Sequence, residues 1–381
     1  MRASSALGVP GFRAAGVHCG VKRLGLDLAL IASDRPARAA GVFTRSTIVG
    51  APVELTRDRV RAGCARAIVV NSGVSNVAMG EQGRRDAAEM ARCAAAQLGA
   101  PAEQVLVAST GVIGVRLPMP RIRRGIRHAA AALAPAGLCD AAEAIRTTDT
   151  RAKTALATAR VDGREVTIAG IAKGSGMIEP DMATMLAFLL TDAAVSAPHL
   201  ARVLGDAADA SFNRLSVDGE TSTSDMALLL ANGAAGNREL RGPRSPGAAA
   251  FAAAVERVAV ALAREIARDG EGATKLVTVR VEGAASARDA ERAARRIANS
   301  MLVKTALYGG DANWGRILQT VGAARVRVNL DRARVRLSGV TVFREGTSAG
   351  PGARKRAARA LQAHEVELAV ELGAGRAAAQ V

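Results

Sequence analysis

The stretch Lys173 to Leu186, KGSGMIEPDMATML, decides the reading of this 381-residue chain. A small-residue turn, Lys173-Gly174-Ser175-Gly176, follows a weakly alternating strand pattern over Val166 to Ala172. Pro180 then stiffens the chain, and small or flexible residues flank the Ala183–Thr184 bond ahead of an apolar run, Met185 to Leu190. A threonine in that setting suits self-cleavage. Its hydroxyl attacks the Ala183 carbonyl, the ester hydrolyses, and Thr184 is left with a free α-amine. That amine has a reference pKa of about 7.7–8.0 and sits beside its own hydroxyl as a general base. The blander alternative is that Thr184 merely opens a buried strand, which on pattern alone is the commoner case for a single threonine.

Upstream, Ala65 to Asn71 reads as a strand opening into the turn Asn71-Ser72-Gly73. Arg84 to Leu98 has helical spacing and stops at Gly99, and Gln104 to Ala108 is a strand followed by Ser109-Thr110-Gly111. Arg116 to Leu133 reads as a basic helix. Downstream, Pro198 to Ala210, Ala248 to Arg268 and Ala287 to Ala298 read as helices. Lys275 to Glu282, Arg325 to Asn329, Arg334 to Leu337 and Glu365 to Leu372 read as strands, and Gly236 to Gly247 as the one linker-like segment. Strands come in clusters rather than in strict alternation with helices, which favours a layered α+β fold over a doubly wound sheet.

Composition narrows the class. No apolar run approaches the ~20 residues of a membrane helix, and Met1 to Val17 lacks the apolar block of a secretory signal, so a cytoplasmic location is expected. Cys19, Cys64, Cys93 and Cys139 are scattered without metal or disulfide spacing and are expected as free thiols. The net charge of +17 is spread along the chain, with no dense basic block and only 2% aromatics for base stacking, which argues against nucleic acid as a partner. Only six of the 52 basic residues are lysine, so Arg is the default cation here. Lys22, Lys153, Lys173, Lys275, Lys304 and Lys355 therefore mark places where a compact ammonium is needed.

Four further positions are candidates around Thr184. Thr110 and Gly111, after a strand, can present a hydroxyl and a backbone N–H to a developing oxyanion. Lys173 can hold a carboxylate and Glu271 an ammonium; the bland readings are an ordinary turn, a solvated lysine and a solvated acid at a helix end. GEGATK (Gly270 to Lys275) lacks phosphate-loop spacing, Ser175 is not in a nucleophile elbow, and none of His18, His128, His199 or His364 lies in a triad motif. No zinc-ligand spacing occurs.

KGSGMIEPDMATML resembles the cleavage segment of the bifunctional ornithine acetyltransferase / glutamate N-acetyltransferase family of arginine biosynthesis. GVFTRS (Gly41 to Ser46), ASTGVIG (Ala108 to Gly114), TTDTR (Thr147 to Arg151), SFNRLSVDGETSTSD (Ser211 to Asp225), DGEGATKL (Asp269 to Leu276) and LVKTALYGGDANWGRI (Leu302 to Ile317) resemble family blocks in family order. The resemblance implies an αββα-type sandwich with a second, smaller α/β domain at roughly residues 285–381. It implies cleavage at Ala183–Thr184 into an α fragment, 1–183, and a β fragment, 184–381, assembled as two copies of each. Thr184 would be nucleophile and acetyl carrier, Thr110 and Gly111 the oxyanion hole, and Thr147, Lys173, Thr184 and Glu271 the substrate contacts. Acetyl would pass from N-acetylornithine to glutamate, with acetyl-CoA as a further donor in bifunctional members, and with no metal, cofactor, nucleic acid or membrane. Rival activities on such a scaffold are an N-terminal-nucleophile amidase or aminopeptidase and a specialised-metabolite acyltransferase; a non-enzymatic rival is a basic scaffold or nucleic-acid-binding protein with a dead site. Two departures stand out. The family's Asn-rich turn reads NSGVSNVAMG (Asn71 to Gly80), and the chain ends ELGAGRAAAQV where family members continue through a segment rich in Cys, Asp, Tyr and Asn. Carboxyl-terminal ligand contacts are therefore not carried over.

Overall fold

Eight strands make the larger sheet: β1 (Phe12–Val17), β2 (Leu28–Phe43), β3 (Cys64–Val74), β4 (Val105–Val112), β5 (Lys153–Val161), β6 (Arg164–Lys173), β7 (Leu186–Thr191) and β8 (Met226–Ala231). Their order is β4-β3-β2-β8-β7-β6-β5, with β1 added on β2. The computed structural model describes residues 7–179 and 185–381. The central strands β7 (LAFLLT) and β8 (MALLLA) are buried at every position, so they read as continuous apolar runs rather than alternating ones. Each such Leu or Phe side chain taken from water contributes about 2–3 kcal/mol.

The sheet folds over itself along β2. Residues Leu28 to Ala32 of β2 pair with β1 and β3, the register breaks, and Arg38 to Phe43 pair with β8. One core joins the two halves: Ile31, Ile68, Val70 and Leu106 from one side, Ile171, Phe188, Leu190, Leu228 and Leu230 from the other. Two helical layers cover the outer faces. On the first half, α2 (Gly80–Leu98) and α3 (Met119–Ala131) supply Met90, Ala91, Ile122 and Ile126 against Leu28, Leu30, Val69 and Val107; α1 (Ala51–Val60) precedes them. α1 closes the exposed edge of β4, where the Thr56 hydroxyl donates to the Val107 carbonyl and accepts the Val107 N–H. After α4 (Leu138–Ala144), which adds Leu138 and Ala141 to the shared core, come α5 (Ala197–Ala210) and α6 (Ala248–Arg268). Val258 and Leu262 of α6 approach β6 at Gly170, where a Cβ would lie 2.8 Å from each. The layering is the αββα sandwich expected, in an α+β fold.

This first unit comprises the chain up to Asn213 together with Glu220–Glu271; the second comprises Arg214–Gly219 and Gly272–Val381. The second unit has a six-stranded sheet of order β12-β11-β10-β13-β9-β14, built from β9 (Leu276–Ala284), β10 (Arg334–Leu337), β11 (Val340–Arg344), β12 (Thr347–Ser348), β13 (Glu365–Glu371) and β14 (Ala377–Gln380). Its helices are α7 (Ala287–Ala298), α8 (Met301–Tyr308), α9 (Trp314–Ala323) and α10 (Pro351–Ala360). Ser286 caps α7 by accepting the Asp289 N–H, and Ala290, Ala293, Ala294 and Ile297 face its own core.

Two sequence expectations shift. Arg325 to Asn329 is not a strand: Val326 and Val328 pack partly against the second core, but no ladder forms there and Arg325 takes a left-handed φ of 52°. The strands around the two early turns run on to Val74 and Val112, so Asn71-Ser72-Gly73 and Ser109-Thr110-Gly111 lie side by side in one parallel ladder.

Candidate active site

Three of the expected site residues, Thr110, Gly111 and Lys173, lie at the ends of strands. β6 ends at Lys173, whose register partner on β7 is Leu186, whose partner on β8 is Met226. Lys173, the chain following Thr184, and Asp225 therefore share one end of the sheet. Thr184 and Ala183 lie outside the described residues.

Lys173 is 5% exposed, and its Nζ donates to the Thr110 hydroxyl oxygen at 3.2 Å. In a flat sheet β6 and β4 would stand five strand spacings apart, about 24 Å. Only the fold at β2 brings them into contact. Burial lowers the Lys173 pKa, while Asp149, Asp225 and Glu271 pull the other way. Thr110 accepts from the ammonium and so keeps its own O–H to donate. Gly111 beside it has φ of 128°, and a Cβ there would fall 2.2 Å from the Gly73 carbonyl carbon, so the backbone closes on itself and only glycine fits.

Asp149 organises the floor. Its carboxylate accepts the Gly174 N–H at 2.7 Å, the Thr147 N–H at 3.0 Å and the Lys153 ammonium at 2.6 Å. Burial opposes its charge, but the Lys173 and Lys153 ammonium groups and the Gly174 N–H outweigh that and pull its pKa down to about 2. Lys153, with no exposed surface, also donates to Asp269 at 2.6 Å. Asp269 in turn takes the N–H and hydroxyl of Thr150. The Ser175 hydroxyl donates to the Asp269 carbonyl at 2.7 Å, and the Glu271 N–H donates to the Ser175 carbonyl at 2.9 Å. The Glu271 carboxylate rests on Gly176, where a Cβ would come within 2.6 Å of it.

Asp225 is the residue that pattern reading passed over, although it ends one of the quoted blocks. It is 2% exposed, and one carboxylate oxygen has no hydrogen-bond partner among the described residues. Burial pushes its pKa well above the usual carboxylate range, against the pull of Lys173 and of the Met185 N–H. Its one sequence signal was a charge set immediately before a fully apolar strand. Asp149, within TTDTR, and Lys153 were likewise not singled out as site residues.

The structure thus brings Thr110, Lys173, Thr147 and Glu271 into one connected arrangement in the first unit. Among the described residues no three His, Cys, Asp or Glu side chains form a metal-holding group, and no helix is long and apolar enough to cross a membrane. The four cysteines are free, and burial with the neighbouring Asp27 charge pushes the Cys19 thiol up to about 12.

The layered α+β sandwich gathers a buried ammonium, a hydroxyl and two paired small-residue strand ends, a setting suited to an enzyme's active site. The chain belongs to the ArgJ family, whose pattern matches residues 13–381. It is 52% identical over 368 residues to the arginine biosynthesis bifunctional protein ArgJ of Symbiobacterium thermophilum, covering 96% of this chain and 91% of that relative. It is 50% identical over 374 residues to the protein of that name from Geobacter sulfurreducens, covering 97% and 95%. Among solved structures it is similar to the arginine biosynthesis bifunctional protein argJ of Bacillus halodurans, at 40% identity and a TM-score of 0.44, over 46% of this chain and 92% of that one.

Proposed function

We propose that this enzyme transfers acetyl from N-acetylornithine to glutamate through an ester on Thr184, after cutting its own chain at Ala183–Thr184. The observation that carries the reading is the meeting of Lys173 and Thr110 across the sandwich, in a chain of the ArgJ family. In the maturation step the Thr184 hydroxyl adds to the Ala183 carbonyl, the C–N bond breaks, and the amine nitrogen takes the hydroxyl proton. Water then hydrolyses the ester, leaving fragments 1–183 and 184–381. In turnover the Thr184 amine accepts the proton of its own hydroxyl as the oxygen attacks the acetyl carbon. The leaving amine of ornithine takes that proton, and the reverse sequence delivers acetyl to the glutamate amine. The free O–H of Thr110 and the Gly111 N–H stabilise the negative oxygen at each tetrahedral stage. Lys173 takes a substrate carboxylate, Glu271 a substrate ammonium, and Thr147 borders the same cluster.

Acetyl-CoA serves as a second donor in this reading, the mature enzyme holds two copies of each fragment, and it works in the cytoplasm. Intact mass of purified protein tests the first step, with two polypeptides expected. Thr184→Ala should give one unbroken chain without transfer, while Thr184→Ser should retain part of both activities. Incubation with N-acetylornithine and glutamate should yield N-acetylglutamate. Free acetate alone would instead mark a hydrolase of the amidase or aminopeptidase kind.

A further inference from the structure

The cation and the anion of the site are spaced by a third charge that touches neither. Lys153 opens β5 and is wholly enclosed, its ammonium clasped at 2.6 Å by Asp149 and at 2.6 Å by Asp269. The Asp149 arm reaches the Gly174 N–H, next to Lys173, and the Thr147 N–H. The Asp269 arm reaches Ser175 through its carbonyl, and Ser175 holds the Glu271 N–H. One ammonium thus ties together the segments bearing Thr147, Lys173 and Glu271. In a chain where arginine is the usual cation, lysine stands at this fully enclosed point, where the larger guanidinium fork has no room.

We propose that Lys153 is a positioning residue that gauges the separation between Lys173 and Glu271, and so selects small substrates carrying both a carboxylate and an ammonium group. The inference rests on the assignment of Lys173 and Glu271 as substrate contacts under the proposed function. Held by two carboxylates, the ammonium cannot drift toward one arm without lengthening its bond to the other. The Gly174 and Ser175 backbone consequently has one position, and with it the span between the two charged contacts. Asp149 also faces Lys173, so the clasp places a carboxylate whose field opposes the lowering of the Lys173 pKa by burial.

The test compares two donors that differ only in the terminal ammonium: N-acetylornithine and N-acetylnorvaline, each assayed for acetyl transfer to glutamate. The wild-type enzyme should prefer N-acetylornithine at least about a hundredfold in kcat/KM, by the loss expected when a site built to pair a polar group meets an analogue lacking it. In Lys153→Met that ratio should fall by about tenfold or more, with the loss in KM for N-acetylornithine and little change for N-acetylnorvaline. A role in stability alone would depress both donors equally, and an unchanged ratio in a folded, active variant overturns the proposal. If Lys153→Met yields no soluble protein, Asp269→Asn decides by the same ratio, since it keeps the Asp149–Lys153 pair and weakens the hold of Lys153 and Thr150 on the Asp269 side chain. Wild-type enzyme that cleaves yet shows no preference between the donors would instead overturn the assignment of Glu271, and the gauge with it.

Discussion

Gly176 and Asp225 are the two positions where a single atom group decides most. At Gly176 an added methyl group meets the flexible end of Glu271, not backbone, so the carboxylate moves and the fold survives. Gly176→Ala should therefore change stability by no more than about 1 kcal/mol. It should raise KM for N-acetylornithine by about tenfold with kcat nearly kept, as steady-state kinetics can show. At Asp225 the sign is opposite to that of a stabilising carboxylate. Its pKa is raised in the folded chain, so as pH climbs past the unfolded value of about 3.9 the unfolded state gains charge first and stability is lost. Asp225→Asn removes that penalty. Calorimetry should show a higher melting temperature for the variant at pH 7–8, with the gap closing below about pH 4 as the unfolded carboxyl takes up its proton. A lower melting temperature at neutral pH would show that the pull between Asp225 and Lys173 outweighs the burial cost.

At the scale of elements, the parallel pair β3–β4 carries a tight constraint beside the site. Gly111 and Gly73 are register partners, and a Cβ on Gly111 would overlap backbone that cannot swing aside. Gly111→Ala should cost at least about 2 kcal/mol and separate the strand ends beside Thr110, visible as a lower melting temperature together with reduced transfer. The same pair shows what sequence reading reaches. Both small-residue stretches were legible, though as turns after strands rather than as the strands' own ends, and their lying against each other was not, because register between strands set 38 residues apart is a property of pairing, as Asn71 opposite Ser109 illustrates. Helices with apolar stripes were legible almost to the residue: Ala248–Arg268 and Ala287–Ala298 match. β5 was not read, because its alternation is carried by alanine and threonine against half-buried positions, too weak a contrast for a period-two signal. Lys173 and Glu271 stood out by motif, whereas the Asp149–Lys153–Asp269 clasp joins residues more than a hundred positions apart and shows only as a lysine kept in an arginine-rich chain.

For the molecule as a whole, the strand order decides how the two fragments would be held. β1 to β6 precede the proposed cut at Ala183–Thr184, while β7 and β8 follow it and sit between β2 and β6 in the same sheet. Both late strands are buried at every position, so removing them would expose two raw sheet edges and a shared core. Cut material should therefore run as one species in native size-exclusion chromatography and separate only in denaturant; fragments that part under native conditions would contradict the interleaving. The net charge of +17 repels the pieces mildly, but screening at physiological salt acts over about 8 Å and leaves the buried contacts untouched.

That interleaving would also date the proposed scission. A tongue of two strands can enter a slot between neighbours easily while tethered, since residues 174–185 join it to β6 and its docking is then intramolecular. Once severed, the same insertion becomes an encounter between separate molecules. Recovery of mature enzyme from urea should thus slow on dilution, whereas an uncut Thr184→Ala chain should regain its structure at a rate indifferent to concentration. The protein would have one chance to be assembled cheaply, and it comes before the knife.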